Sequence, residues 1–241
     1  MRSADRAAGR GWAIAGIAVL LLAGVAVAAT YTPLFAASDV RVDGPDVIAR
    51  DDVLAIAGIV EGTNVFHLDA RRIERRLERD PRILRARVRT SLPDTIAIRI
   101  VPRVPVGILE GAGALVGADG VVIGPASAST VLPLLVSGGG GELGTDLLVN
   151  AATTAAALGP ELRAVVDAVV VRPDGTVRLR LAAGFTATLG DGSELAAKAA
   201  SLQALLEWAE AEDVAVRSAD LTVPGSPTAS LDRGGAPVPI P

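Results

Sequence analysis

The sequence predicts a single-pass membrane protein with two folded domains after the membrane segment: an α+β domain of the order β-α-α-β-β, then a mixed α/β domain with a largely antiparallel sheet. Three observations predict this fold class. Residues 12–29 are a continuous apolar run, residues 38–104 combine helical periods with alternating strands, and residues 105–224 hold short alternating strands between Gly- and Pro-containing turns. Residues 1–11 are then a short cytoplasmic tail, and residues 225–241 a disordered tail.

The apolar run predicts a transmembrane helix over residues 12–31. At about 1.5 Å per residue it makes about 27 Å of helix, close to the hydrocarbon thickness of about 30 Å. Arg2, Arg6 and Arg10 precede it, so the positive-inside rule places the N-terminus in the cytoplasm and the domains outside. A cleavable signal peptide is the alternative, because Ala26-Val27-Ala28 fits a cleavage site, although the run is longer than an ordinary signal core.

Composition excludes several kinds of chemistry. The chain has no cysteine, which excludes disulfides, thiolate metal sites and cysteine nucleophiles, and His67 is the only histidine. Aromatic residues make up 2% and the net charge is −4, so neither base stacking nor a global attraction to nucleic acid is indicated. The G-x-S-x-G, S-x-x-K and P-loop patterns do not occur. The sequence therefore predicts no catalytic residue, no cofactor and no metal site.

The next part of the chain predicts the start of the first folded domain. Residues 39–43 alternate between apolar and charged side chains, and residues 51–57 carry apolar residues at helical spacing before Gly58, a common helix end. Asp69 is the expected N-cap of a second helix, which Pro81 prevents from continuing. The domain therefore begins strand, helix, helix.

A β-hairpin is expected to complete this domain. Leu84, Ala86 and Val88 alternate with arginines and are predicted to point inward. Pro93-Asp94 forms the expected turn, and residues 96–101 return as an alternating strand. Two helices on one face of a three-stranded sheet would make a compact α+β unit.

Arginine is dense between residues 71 and 89. The positions are Arg71, Arg72, Arg75, Arg76, Arg79, Arg82, Arg85, Arg87 and Arg89, with Glu74 and Glu78 between them. The interleaved acids and the scarcity of aromatics argue against nucleic acid. Two interpretations remain: a solvated charged face, or a surface that contacts anionic lipid or an acidic partner.

The sequence beyond residue 105 predicts a second, β-rich domain. Expected strands are residues 106–109, 114–116, 121–123, 132–136, 165–172, 177–181 and 187–189. Expected helices are residues 146–158, closed by Gly159-Pro160, and a helix through Glu212 with Ser193 as its N-cap. Residues 219–223 are the expected last strand, before a tail in which Pro, Ser, Gly and Ala dominate.

Several stretches resemble a known module. Val40-Arg41-Val42-Asp43-Gly44, residues 62–69 (GTNVFHLD) and Asp80-Pro81-Arg82-Ile83 resemble a POTRA domain, the polypeptide-transport-associated module. Residues 92–98 (LPDTIAI) and 101–106 (VPRVPV) narrow the resemblance to the FtsQ/DivIB family of bacterial cell-division proteins, in which a POTRA domain directly follows one span. Leu189-Gly190, Gly192, Lys198 and Leu202 are similar to the family's C-terminal region, although Thr222 stands where a basic residue often occurs.

The resemblance implies an essential-type, non-catalytic divisome assembly protein that bridges early and late division proteins at the septum. The implied partners are FtsB/FtsL-type (DivIC-type) division proteins and the septal peptidoglycan synthesis machinery. The implied location is the cell membrane at the division septum, with the C-terminal domains outside the cytoplasm. The chain is expected to bind neither nucleic acid nor a small-molecule substrate.

The last strand is the expected partner-binding site. An exposed final strand offers unpaired backbone groups, to which a partner segment can add as a further strand. The predicted contact residues are Ala219, Asp220, Leu221, Thr222 and Val223, with Arg178 on a nearby strand. The alternative is an exported enzyme, or a POTRA-type transport or outer-surface assembly factor, with an unrecognised site. A pocket that brings His67 together with two carboxylates would favour the enzyme.

Overall fold

The computed structural model describes residues 4–32, 35–45, 48–60, 62–231 and 238–239. The chain divides into two compact units, Met1–Pro102 and Arg103–Pro241, so the division falls two residues before the expected domain boundary. Residues 1–3 of the predicted cytoplasmic tail lie outside the described residues, as do residues 232–237 and 240–241 of the predicted disordered tail.

The first helix, α1, spans Ala4–Ala29 and contains most of the segment predicted to cross the membrane. It ends in a turn, in which the N–H groups of Thr30 and Tyr31 donate to the carbonyls of Val27 and Ala28 at 3.0 and 3.1 Å. Among the described residues, no helix combines the length and the apolar character that crossing a membrane requires.

The N-terminal unit contains a three-stranded sheet and two short helices. Its elements after α1 are β1 (Asp39–Asp43), α2 (Arg50–Ala57), α3 (Ala70–Leu77), β2 (Ile83–Ser91) and β3 (Thr95–Pro102). The strand order is β1-β3-β2, with β1 parallel and β2 antiparallel to β3. The predicted order β-α-α-β-β is confirmed.

The two short helices end and begin as their sequences dictate. The carboxylate of Asp69 accepts a hydrogen bond from the N–H of Arg72 at 3.0 Å and so caps α3. Gly58 ends α2 with a φ of 67°, a left-handed conformation that glycine adopts without steric cost. Helices and strands share a buried apolar core, which includes Val53, Ala57, Ile73, Leu77, Ala86, Val88, Ile96, Ile98 and Ile100.

One hairpin residue faces differently from the prediction. Leu84 is expected to point inward, but it is 48% exposed, whereas Ile83 is fully buried. The pairing of β2 with β3 shifts register between Ile83 and Arg85, and this irregularity turns Leu84 outward. Ala86 and Val88 keep the predicted inward direction.

In its described residues, the C-terminal unit is built on a ten-stranded mixed sheet. Its strands are β4 (Pro105–Leu109), β5 (Ala114–Gly117), β6 (Val122–Pro125), β7 (Leu134–Ser137), β8 (Val166–Val171), β9 (Val177–Leu181), β10 (Thr186–Gly190), β11 (Val216–Asp220), β12 (Thr228–Leu231) and β13 (Val238–Pro239). Its α-helices are α4 (Thr145–Ala157), α5 (Gly159–Val165) and α6 (Leu195–Ala211).

The described strands lie in the order β13-β12-β11-β10-β9-β8-β7-β4-β5-β6. The pairs β4–β7, β7–β8 and β10–β11 are parallel, and the other neighbours are antiparallel, which agrees with the predicted mixed and largely antiparallel sheet. Helices α4, α5 and α6 pack on the sheet over a single core that includes Leu135, Leu148, Leu179, Leu202 and Leu205.

One predicted helix end is confirmed and one predicted cap is wrong. Helix α4 ends at Ala157, just before Gly159-Pro160 as predicted, but a further helix that was not predicted, α5, begins at Gly159, since proline fits the first turn of a helix. Ser193 does not cap α6. Its hydroxyl donates instead to Asp191 Oδ1 at 2.6 Å, and Glu194 precedes the helix in a left-handed conformation.

Candidate partner-binding edge

Strand β11 lies near one end of the large sheet, but it is not the edge strand. It pairs in parallel with β10 on one side and antiparallel with β12 on the other. The prediction places the last strand at residues 219–223 and a disordered tail from residue 225. The structure instead places β11 at Val216–Asp220 and forms a further strand, β12, from residues 228–231 of the tail. The edge on this side therefore lies beyond β11.

The five residues predicted to contact a partner divide into two groups. Ala219 is 4% exposed and Leu221 is fully buried, and both belong to the apolar core. Asp220, Thr222 and Val223 are exposed, and the last two follow the end of β11. The structure therefore leaves only these three accessible.

Arg178 lies on the same face of the sheet as Asp220. The register aligns Arg178, Thr188, Asp220 and Thr228 in one row across β9, β10, β11 and β12. Residues paired across strands point to the same face, and strands lie about 4.8 Å apart, so Arg178 is about 10 Å from the position of Asp220. The structure thus places the two predicted residues in one polar row, with β10 between them.

The turn between β11 and β12 is attached to both the sheet and α6. Asp220 Oδ1 accepts a hydrogen bond from the N–H of Thr222 at 2.9 Å, and hydrogen bonds from Thr222 lower the pKa of Asp220 below its ordinary value. The N–H of Leu221 donates to the carbonyl of Thr188 at 2.8 Å. Ser201 Oγ on α6 donates to the carbonyl of Pro224 at 3.0 Å.

A buried lysine fixes the neighbouring turn between β10 and α6. Lys198, the only lysine of the chain, is 0% exposed. Its Nζ donates to Asp191 Oδ1 at 2.9 Å and to the Asp191 carbonyl at 3.1 Å. Hydrogen bonds from Ser193 and Lys198 lower the pKa of the exposed Asp191 carboxyl to about 2. The family-like position of Lys198 therefore has a structural explanation, since its ammonium holds this turn.

Strand β12 is held in the sheet by its inner neighbours. Ala229 is 2% exposed and joins the core, while Thr228, Ser230 and Leu231 are half-buried. On its outer side β12 meets only the two-residue strand β13, through the pairs Thr228–Pro239 and Ala229–Val238. Within the described residues, no strand therefore pairs with the outer side of β12 at Ser230 and Leu231. Sequence reasoning missed this strand, whose only signal is a weak alternation in T-A-S-L.

Side chains occupy both edges of the small N-terminal sheet. On β2, the N–H of Val88 donates to the carboxylate of Glu74 on α3 at 2.9 Å, and the N–H of Ala86 donates to the carboxylate of Glu78, which directly follows α3, at 3.1 Å. On β1, Arg50 Nη2 donates to the carbonyl of Val40 at 2.6 Å. Such capping hinders the addition of another strand. Glu74 and Glu78, the two acids between the arginines of residues 71–89, thus cover the β2 edge of this sheet.

Sequence reasoning also missed a glycine pattern, Gly139-x-Gly141-x-x-Gly144, between β7 and α4. A pattern of this kind between a strand and a helix is typical of dinucleotide-binding sites. The adjacent cavity, about 430 Å³ in volume, has two acidic residues, Glu110 and Glu142, in its lining. Because carboxylates repel phosphate, this loop carries no argument for a nucleotide site.

The surroundings of His67 do not resemble a catalytic site. Its ring stacks on Tyr31, meets Phe66 edge to face, and forms a hydrogen bond with Thr30. In the part of the chain that the structure describes, no group of three or more His, Asp or Glu residues is placed to hold a metal ion. The described residues therefore offer no observation in favour of the enzyme alternative.

The fold defines a class of protein: a β-α-α-β-β unit after an N-terminal helix, joined to a second unit with a large mixed sheet. Residues 35–103 match the family described as POTRA domain, FtsQ-type. The chain therefore carries an FtsQ-type POTRA domain.

Three relatives are each named cell division protein FtsQ. The chain is 30% identical over 179 residues to the cell division protein FtsQ of Mycolicibacterium smegmatis, and the matched stretch covers 73% of this chain and 53% of that protein. It is 30% identical over 196 residues to FtsQ of Mycobacteroides abscessus, covering 78% and 62%, and 38% identical over 92 residues to FtsQ of Syntrophotalea carbinolica, covering 36% and 33%. The chain thus spans less than two thirds of each of these relatives.

Proposed function

We propose that the chain is a non-catalytic assembly protein of the bacterial cell-division machinery, anchored in the cell membrane at the division septum. The FtsQ-type POTRA domain and the similarity to proteins named cell division protein FtsQ support this role. The apolar run within residues 12–31, on helix α1, supports a single-pass anchor with the two folded units outside the cytoplasm.

In this proposal the protein bridges early and late division proteins through its folded units. The direct partners are FtsB/FtsL-type (DivIC-type) proteins, and the septal peptidoglycan synthesis machinery acts downstream of them. A segment of the partner adds to the large sheet next to β12, where backbone hydrogen bonds supply affinity and alternate side chains supply specificity. The observation that carries the proposal is that, among the described residues, only the two-residue strand β13 lies beyond β12, and it pairs with Thr228 and Ala229 but not with Ser230 or Leu231.

The polar row across the sheet supports the same position. The row that contains Arg178 and Asp220 ends at Thr228 on β12, and Ser230 lies on the same face two residues further along this strand. A partner strand beside Ser230 therefore brings its own side chains close to the end of the row. Asp220, Thr222 and Val223 are exposed at the adjoining turn and are available for contacts outside the ladder.

Cysteine-directed crosslinking tests this edge, because the chain has no cysteine of its own. Ser230→Cys places a single thiol on β12, and the matched control Val122→Cys places one on β6, at the opposite end of the sheet. Each full-length variant is labelled with a photoreactive maleimide in dividing cells, and its adducts are identified by mass spectrometry. We expect an adduct with an FtsB/FtsL-type protein from position 230 and none from position 122. An adduct from position 122 alone would contradict the proposed edge.

A further inference from the structure

Ordered hydrogen bonds join the end of α1 to the N-terminal unit. Asn64 Nδ2 donates to the carbonyl of Thr30 at 2.8 Å, and Thr30 Oγ1 lies 3.0 Å from His67 Nε2. The N–H of Val65 donates to the carbonyl of Phe35 at 2.8 Å. The loop before α3 therefore holds the chain segment that leaves α1, so the orientation of the helix end is coupled to the folded unit.

Four rings come together at this junction. Tyr31 stacks on His67 with ring centroids 4.3 Å apart, Phe66 meets His67 edge to face at 5.4 Å, and Phe35 meets Phe66 at 5.6 Å. We call Tyr31, Phe35, Phe66 and His67 the ring cluster. In a chain with only 2% aromatic residues this grouping concentrates most of the tyrosine and phenylalanine at one point. The cluster is not buried: Tyr31 is 69% and Phe66 is 50% exposed.

We propose that the ring cluster is a membrane-interface site, which inserts among the lipid headgroups at the outer face of the bilayer. This proposal rests on the membrane anchor of the proposed function. Tyrosine and other amphipathic rings are enriched at the boundary between hydrocarbon and water, and Tyr31 lies two residues beyond the end of α1. Exposed Phe66 belongs to a folded loop, so its burial in lipid would fix the N-terminal unit as well as the helix.

The backbone chemistry of the junction fits the same location. A helix end near hydrocarbon needs its free carbonyls satisfied by protein groups, because water is scarce there. Asn64 supplies such a donor to the Thr30 carbonyl, and the hydroxyl groups of Thr30 and Thr32 donate to the carbonyls of Val27 and Ala29, each at 2.7 Å. The junction therefore presents rings outward while its polar groups bond internally.

A single tryptophan in the full-length chain tests the proposal. Trp12 and Trp208 are replaced by phenylalanine, Phe66→Trp is introduced, and the protein is reconstituted in vesicles of phosphatidylethanolamine and phosphatidylglycerol. Some of the phospholipid is brominated near the headgroup end of its acyl chains. We expect emission from position 66 to shift to shorter wavelength and to lose most of its intensity to the bromines. Tyr31→Trp in the same background should behave alike, so the result does not depend on one variant.

Leu84→Trp is the matched control. Leu84 is 48% exposed, close to the value for Phe66, but lies at the far end of β2. The chain from α1 enters the sheet at the other end, where Ser38 donates its N–H to the carbonyl of Asp94. Leu84 is about 23 Å along the strand from Ser91, at about 3.3 Å per residue. Emission from position 84 should therefore remain unquenched.

The outcomes separate the two proposals. Unquenched emission from positions 31 and 66, in protein that resists alkaline extraction from the vesicles, overturns the interface site and leaves the anchor intact. Emission from position 66 that is shielded only when division proteins are added assigns the ring cluster to a protein partner, which also overturns it. Extraction of the protein by alkali would refute the anchor itself, and the interface site with it.

Discussion

Shortening Lys198 to alanine should destabilise the C-terminal unit by about 4 kcal/mol. The side chain is fully buried, and Lys198→Ala removes three methylene groups, each of which contributes about 0.8 kcal/mol when buried. It also removes the hydrogen bonds of a buried charged group, about 1.5–3 kcal/mol in general, and the low end applies because the partner carboxylate is exposed. The two losses together amount to about 4 kcal/mol.

Lys198→Met is the matched control for this prediction. It keeps an unbranched stem of similar length and loses only the ammonium with its hydrogen bonds, and the removal of a dehydrated charge offsets part of that loss. We therefore expect a cost of about 1 kcal/mol.

Urea unfolding of the full-length chain measures both variants. Trp208 on α6 packs against the core and reports on this unit once Trp12 is replaced by phenylalanine. An alanine variant as stable as the methionine variant would refute the packing role of the lysine stem. Equal, large losses in both would assign the stabilisation to the ammonium alone.

Three further predictions concern single interactions. Because the folded pKa of Asp191 is lowered to about 2, its carboxylate stabilises the fold above about pH 4 and loses this effect as the pH falls through about 2. When Asp191→Asn is titrated with acid and its unfolding is monitored by circular dichroism, the loss of stability near pH 2 that depends on this carboxylate should be absent. Asp69→Ala removes the cap of α3 and should cost about 1 kcal/mol in urea unfolding, whereas Asp69→Asn should cost little. Glu74→Ala leaves the N–H of Val88 without its acceptor and should cost about 1–2 kcal/mol, while Glu74→Gln, which keeps an oxygen, should cost less. A Gln variant as unstable as the Ala variant would contradict the edge-capping role of this side chain.

Much of the N-terminal unit could be predicted because its local signals agree with its packing. Asp69 is a capping residue next to an amphipathic period, and it caps α3 in the structure. The alternation in residues 96–101 coincides with β3, in which Ile96, Ile98 and Ile100 are buried. Leu84 was predicted inward because alternation assumes an unbroken register, and the irregularity between Ile83 and Arg85 breaks it.

The candidate site was harder to predict because its strand has little intrinsic preference for a sheet. The segment T-A-S-L lies in a tail rich in Pro, Gly and Ser, and it forms β12 because β11 supplies the ladder and Ala229 fits the core. The predicted range of the last strand, residues 219–223, begins three residues later than β11 for a related reason. Leu221 is apolar and buried, but it follows the strand instead of lying within it. Such tertiary effects are not visible in a local pattern.

Amide hydrogen exchange across β12 tests the partner-binding edge most directly. The full-length protein is compared alone and with the extracytoplasmic domain of an FtsB/FtsL-type partner, and exchange is followed at Thr228–Leu231 and, as the control edge, at Val122–Pro125. We predict that the partner slows exchange within the segment Ser230–Leu231, because the backbone groups there that point away from β11 enter a new ladder, and leaves β6 unchanged. Slowed exchange at β6 or in the N-terminal unit, with β12 unchanged, would contradict the proposed edge.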